Sequence, residues 1–449
     1  MKVELPSKAI KHYNSVFNEL LLELKPVEIS SSQSQSHPPH YVKTIPANDV
    51  IDIKISTVDG FGNLKGKYFE SKGKQVGLTG IACEKCNKIA LELSLRKELI
   101  HLVSEKYIID LIYIWFEERY NGELENDCRF YDYFKEKTEI DINPLKISIP
   151  ISYLTIEQEF QIGKVKYHYY GKQLFDDIQT ETIKYAKSEK EIDAVKQSII
   201  NERKKYQGCV FGTVKITAEK DKCIELARKL IDKSLIVIKF FAPTVFIPEA
   251  PLYVGRYGTV HIPENHEFIF KNELPERQSK INEKKQIILN IGNREFQLFE
   301  KNGLNILSDL IIKNDYSEFE ELCFLSIKYF TEAISLKDFN DRLVYLLVSI
   351  ESLLSKDDNE LIQDNISRRL AFLTDIDLDK RKETIEKFKK AYGYRSKLLH
   401  HGEKQSKIEI IDFLQFKIWL ALKNSLSITN KIKTKSEFIE HLENRILSG

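Results

Sequence analysis

Between Pro6 and Leu24 the apolar residues Ile10, Tyr13, Val16, Phe17, Leu20 and Leu21 recur at three- and four-residue spacing, which predicts an amphipathic helix. The run Ser30 to Pro39 cannot continue a packed element and reads as a loop or linker. From Val50 the period changes to two: Ile51, Ile53 and Ile55 alternate with polar residues, as do Ile89, Leu91, Leu93 and Leu95, and both stretches are expected as half-buried strands. A helix is expected through His101, Ile108, Ile112 and Trp115, then strands at Ile147 to Ile151 and Val165 to Tyr169. A charged helix after Lys184 leads to the strand Val210 to Ile216 and to a helix carrying Cys223, Leu226, Leu230 and Leu235 on one face. Prolines 243, 248, 251, 263 and 275 mark turn-rich sequence, followed by expected strands at Ile287 to Ile291 and Phe296 to Phe299.

Beyond Leu304 only the helical period persists. Phe319, Leu322, Cys323, Phe330 and Ile334, then Leu343, Leu346, Leu347, Ile350, Leu353 and Leu354, follow i, i+3, i+4. Further helices fit Ile362 to Leu373, Leu378 to His401 and Ile408 to Ser427. The expected organisation is an α+β region over 1–303 and an all-α helical bundle over 304–449. No internal repeat is visible.

Composition narrows the functional classes. With 68 Lys plus Arg against 67 Asp plus Glu, the net charge of +1 removes any argument for nucleic-acid binding from overall charge. Six cysteines in 449 residues are too sparse for a disulfide framework. No apolar run approaches the roughly 20 residues a membrane span needs, so a soluble cytoplasmic protein without a membrane partner is expected.

The most informative segment is Tyr392-Gly393-Tyr394-Arg395-Ser396-Lys397-Leu398-Leu399-His400-His401-Gly402. Gly402 suits the left-handed residue that ends a helix, and the dipole at that end favours a positively charged imidazole. An imidazole that trades protons near neutral pH, beside a guanidinium that holds phosphate, suits RNA phosphodiester cleavage. Residues five apart on a helix diverge by about 140° and rise about 7.5 Å. Either the last turn unwinds, or Arg395 and His400 converge with copies from a second subunit. The competing explanation is that these residues cap and solvate a helix end. From Asp379 to Lys407, ten basic residues stand against four acidic ones, a net of +6 that would collect phosphates. Lys387 and Lys390 also lie at salt-bridge spacing from Glu383 and Glu386, as on an ordinary solvated face.

Three blocks in order, Leu343 to Leu354, Ile366 to Leu373 and Tyr394 to His400, resemble the HEPN superfamily, in particular the ApeA-like HEPN domains of prokaryotic anti-phage defence proteins. The resemblance covers about residues 313 to 430. It implies a dimerising helical bundle and a metal-independent endoribonuclease of abortive-infection or toxin–antitoxin type, with no cofactor. Carried over, Arg395 would bind phosphate and the transition state, Ser396 would be the polar member of the motif, and His400 the acid/base. His401 is its alternative, because many relatives have Gly directly after the His. Lys397, Lys390 and Tyr394 would contact RNA. Glu351, on the face of Leu347 and Leu354, is expected as a partner of Arg368 or Arg369, with a supporting role at the site as the alternative. By association the first 300 residues would be a sensor or inhibitor released by a phage-derived trigger, or a separate antitoxin would restrain the toxin. The rival function is a catalytically silent scaffold that binds RNA or a protein partner.

Other candidates are weaker. Cys83-Glu84-Lys85-Cys86 has the spacing of half a zinc site, which His37 and His40 complete only if the fold brings the Ser-rich segment to it; the alternative is a turn with two reduced thiols. The glycines from Gly60 to Gly80 form neither a dinucleotide nor a P-loop motif. Tyr167-His168-Tyr169-Tyr170 reads as a two-faced strand in preference to a base-stacking platform.

Overall fold

The computed structural model describes residues 3–26, 56–58, 64–171, 173–259, 264–271, 274–281, 288–356, 362–403 and 408–448. Two compact units emerge, Met1–Ile147 with Lys215–Ala227, and Ser148–Val214 with Arg228–Gly449.

The first unit begins with α1 (Ser7–Leu22), β1 (Lys25–Pro26), β2 (Ser56–Val58), β3 (Leu64–Ser71) and β4 (Lys74–Thr79), followed by α2 (Gly80–Ser94), α3 (Glu105–Asn121) and α4 (Phe130–Asp141). Its strands form an antiparallel sheet in the order β1-β4-β3-β2. Gly77 is required there, since a Cβ would fall 2.1 Å from the Lys67 carbonyl oxygen. Phe17, Ile89, Leu93, Ile112, Trp115 and Phe130 fill the core. The strand expected at Ile89 to Leu95 is instead the end of α2. Cys83, Cys86, Ile89, Ala90 and Leu93 point inward at helical spacing, whereas Leu91 and Leu95 are 42% and 58% exposed. Residues Ile51 to Ile55 lie outside the described residues.

Next in the chain come β5 (Asn143–Ser152), β6 (Leu154–Ile156), β7 (Phe160–Ile162), β8 (Val165–Tyr169), α5 (Gln173–Ile183), α6 (Glu189–Tyr206), β9 (Val210–Ala218), α7 (Lys220–Phe241) and β10 (Gly255–Arg256). A five-stranded sheet has the order β10-β5-β9-β8-β7. The proline-rich stretch contains a hairpin that turn signals alone did not predict, β11 (Glu264–Lys271) with β12 (Leu274–Ile281). β13 (Leu289–Ile291) pairs in parallel with β6. The strand expected at Phe296 to Phe299 is part of α8 (Asn293–Lys301), which starts where Glu295 accepts a hydrogen bond from the Gly292 N–H at 3.1 Å.

From Leu304 onward the elements are helices: α9 (Leu304–Leu310), α10 (Glu318–Ala333), α11 (Phe339–Leu354), α12 (Ile362–Thr374), α13 (Leu378–His401), α14 (Ile408–Leu426) and α15 (Lys435–Leu447). The change of element type near residue 303 is not an edge between compact units. One buried cluster runs from Ile151, Tyr167 and Phe240 to Phe330, Ile350 and Trp419, and the Trp419 indole donates to the Phe240 carbonyl at 2.9 Å. Strand and helix residues thus share a single core in the second unit. Buried Arg342 pins the loop before β10 to α11 by donating to the carbonyls of Pro248 and Leu336. Among the described residues no helix is long and apolar enough to cross a membrane.

Candidate active site on the longest helix of the bundle

The candidate residues Arg395, Ser396, His400 and His401 all lie in the C-terminal part of α13. The Asp377 carboxylate caps its start, accepting from the Asp379 and Lys380 N–H groups at 3.0 and 3.1 Å. Thr384, Phe388 and Ala391 form its buried stripe. Arg395, four residues after Ala391, continues that stripe toward α11. The helix does not unwind before its end: it runs unbroken through His401 and stops at Gly402, where φ is +68° and the N–H reaches the Leu398 carbonyl at 3.0 Å.

The Arg395 guanidinium meets Glu351 of α11. Nη1 lies 3.3 Å from Glu351 Oε1 and donates to the Tyr392 hydroxyl at 3.1 Å. The guanidinium carbon also sits 5.4 Å from the centre of the Tyr392 ring. The Arg395 and Glu351 side chains are 24% and 20% exposed, so both groups are half-buried and open to solvent on one side. Arg395 Nε is buried and has no hydrogen-bond partner among the described residues. Burial, reinforced by hydrogen bonding and charge from Glu351, pushes the Tyr392 phenol up to about 12, so it stays protonated across the working range. The arrangement is a guanidinium held in place by an acid and a phenol and open to solvent on one side.

Glu351 therefore does not pair with the arginines of α12. Arg369, the expected partner, donates to Glu443 at 2.7 Å and to the Leu354 carbonyl at 2.8 Å, and Arg368 is exposed. Tyr392 was not singled out from the sequence, although its place three residues before Arg395 puts it on the same helix face.

His400 and His401 are both exposed, with ring centres 6.5 Å apart. They lie on a different face from Arg395, as five- and six-residue steps on an intact helix require. A single chain does not bring the Arg and His together. Ser396 and Lys397 are exposed, and Tyr394 is half-buried. Part of the local positive charge is neutralised: Lys387 pairs with Glu383 at 2.6 Å, and Lys389 pairs with Asp364. Lys390 and Lys397 make no ion pair among the described residues, and Lys404 and Lys407 lie outside them.

A helix-interior glycine marks this surface. A Cβ at Gly393 would meet nothing within 4 Å. Gly393→Ala is therefore expected to stabilise the protein by about 0.5–1 kcal/mol, through lower unfolded-state entropy, in a denaturant titration. A loss of stability would show that the Gly393 face is more crowded than described.

The Cys83/Cys86 pair sits in α2, not in a turn. Both thiols are fully buried and unbridged, and burial pushes both upward. His37 and His40 lie outside the described residues. Among the described residues no group of three His, Cys, Asp or Glu side chains is placed to hold a metal ion. The Tyr167–Tyr170 run is in and just after β8, with Tyr167 buried and Tyr169 exposed.

No protein-family model, curated protein or solved structure matches this chain.

Proposed function

We propose that the chain is a metal-independent endoribonuclease, acting as the effector of an antiviral, abortive-infection or toxin–antitoxin system. Its C-terminal helices form a HEPN-like bundle, and the site is composite, assembled across the two-fold axis of a homodimer. The observation that carries this reading is the Arg395 guanidinium, held by Glu351 and Tyr392 and partly exposed, five and six residues before two exposed imidazoles on the same helix. Arg395 binds the scissile phosphate and stabilises charge on its oxygens in the transition state. His400 takes the 2′-hydroxyl proton or supplies one to the 5′-oxygen leaving group. The divergence of Arg395 and His400 on an intact helix is why a partner subunit is invoked to complete the site. Lys390 and Lys397 collect the RNA backbone. The region before residue 304 senses a phage-derived trigger, or a separate antitoxin restrains the enzyme.

The same divergence favours one second reading, a catalytically silent scaffold whose basic helix docks RNA or a partner. Incubating purified protein with labelled RNA in EDTA separates the two. The nuclease cuts without metal; the scaffold retains RNA on a gel and leaves it intact. Loss of cutting in EDTA would sink the metal-free mechanism.

A further inference from the structure

A second cluster of reactive groups lies in the five-stranded sheet, independent of the ribonuclease reading. Ser148 of β5, Thr213 of β9 and His168 of β8 sit on three neighbouring strands, with Tyr170 just past the end of β8. His168 Nε2 is 2.8 Å from Thr213 Oγ1, Thr213 Oγ1 is 2.8 Å from Ser148 Oγ, and Ser148 Oγ is 2.6 Å from the Tyr170 hydroxyl. His168 Nδ1 lies 3.1 Å from the Tyr169 carbonyl oxygen.

For a neutral imidazole, donor and acceptor chemistry fixes the direction of every bond. A carbonyl only accepts, so Nδ1 carries the proton and Nε2 must accept. Thr213 has a single hydroxyl proton and gives it to Nε2, so its oxygen accepts from Ser148. Ser148 then has no proton for Tyr170, and Tyr170 donates to Ser148. The result is a one-way relay that draws the Ser148 proton toward an imidazole oriented by a main-chain carbonyl. The relay links Ser148 to its base through one intervening hydroxyl. Thr213 and His168 are 6% and 8% exposed, shielded from water, while Ser148 and Tyr170 are half-buried at the accessible end.

We propose that Ser148 is an activated nucleophile that accepts acyl groups from activated esters. Ser148 Oγ bonds to the acyl carbon as its proton passes to Thr213 and the Thr213 proton passes to His168 Nε2. The ester C–O bond breaks, the leaving alcohol takes a proton from the Thr213 hydroxyl as His168 Nε2 returns its proton to Thr213, and acyl-Ser148 remains. The Tyr170 hydroxyl, released from Ser148 Oγ by the new bond, donates to the developing oxyanion.

A fluorophosphonate probe on the full-length protein tests this, since phosphonylation expels fluoride and reports the same activated oxygen. Mass spectrometry should find the adduct on Ser148, absent in Ser148→Ala, formed about a hundredfold more slowly in His168→Gln, and retained in Thr213→Ser, which keeps the relay hydroxyl. Circular dichroism checks that each variant is folded. If His168→Gln does not fold, Thr213→Val decides, since it removes the relay hydroxyl at similar volume: labelling slowed about a hundredfold supports the relay, and labelling at the wild-type rate overturns it. An unlabelled Ser148 in folded wild type, or equal rates in wild type and His168→Gln, also overturns the proposal.

Discussion

Replacing His400 with Ala should lower RNA cleavage by about 10²–10⁴-fold, the usual worth of a positioned acid/base. Arg395→Ala should lose about 10²–10³-fold or more, because the transition-state phosphate loses its charged donors and Glu351 is left half-buried without its cation. Neither change should unfold the bundle, since His400 is exposed and Arg395 makes its contacts at the solvent edge of α11 and α13. Both variants keep Gly402 and the cap that ends the helix. His401→Ala is the control for register: both imidazoles are exposed, and only the motif spacing favours His400. If His401→Ala is the inactive variant and His400→Ala cuts normally, the acid/base is one residue further along. A site shared between subunits, as proposed, would make a mixture of inactive Arg395→Ala and inactive His400→Ala a probe of how the two-fold divides the labour.

The largest expected loss of stability lies at the opposite end of α13 from Arg395. Asp375, between α12 and α13, is 6% exposed and pairs with Lys417 of α14, itself 9% exposed. The carboxylate also accepts from the Thr384 hydroxyl at 2.8 Å and the Thr374 hydroxyl at 2.9 Å, and Arg381 Nε donates to the Asp375 carbonyl at 3.0 Å. This knot sets the angle at which α13 leaves α12, and so the position of Arg395. Lys417→Met strands a buried charge and should cost about 3–5 kcal/mol in a denaturant titration at pH 7. Lys417→Met combined with Asp375→Leu should recover much of that loss, because no buried charge then remains unpaired.

The pH dependence follows in sign. Burial alone would raise the Asp375 carboxyl, but hydrogen bonds from Lys417, Thr384 and Thr374, together with the Lys417 charge, outweigh it and hold the carboxyl below the ordinary carboxylate range. A group depressed on folding contributes its stability above the unfolded value of about 3.9 and loses it as pH falls through the folded value. Wild type should therefore lose stability on acidification below about pH 4. In Lys417→Met, burial is opposed only by the two threonines, and this acid-linked loss should shrink or reverse.

The helices from Phe319 to Ser427 were legible because their apolar residues hold a single period over many turns, and the cap at Gly402 was legible because left-handed backbone favours glycine. The strand expected at Ile89 to Leu95 differs from the structure because Ile-Ala-Leu-Glu-Leu-Ser-Leu satisfies both periods; only Cys83 and Cys86, two and one turns earlier, favour the helix. Phe296 and Phe299 were misread for a simpler reason, since a four-residue window cannot separate a strand from one turn of helix. The partner of Glu351 was not legible at all. Choosing among Arg368, Arg369 and Arg395 depends on how three helices cross, and Arg369 is drawn away by Glu443, 74 residues later. The hydroxyl relay from Tyr170 to His168 likewise joins strands 65 residues apart and has no local signature.

The central claim is that Arg395 and His400 cleave RNA through the 2′-hydroxyl without metal. The most direct test examines the product ends made by wild type and His400→Ala in EDTA. The account predicts 2′,3′-cyclic phosphate and 5′-hydroxyl ends from wild type and none above background from His400→Ala. Wild-type products with 5′-phosphate ends, or cyclic-phosphate products at equal rates from both proteins, would contradict it.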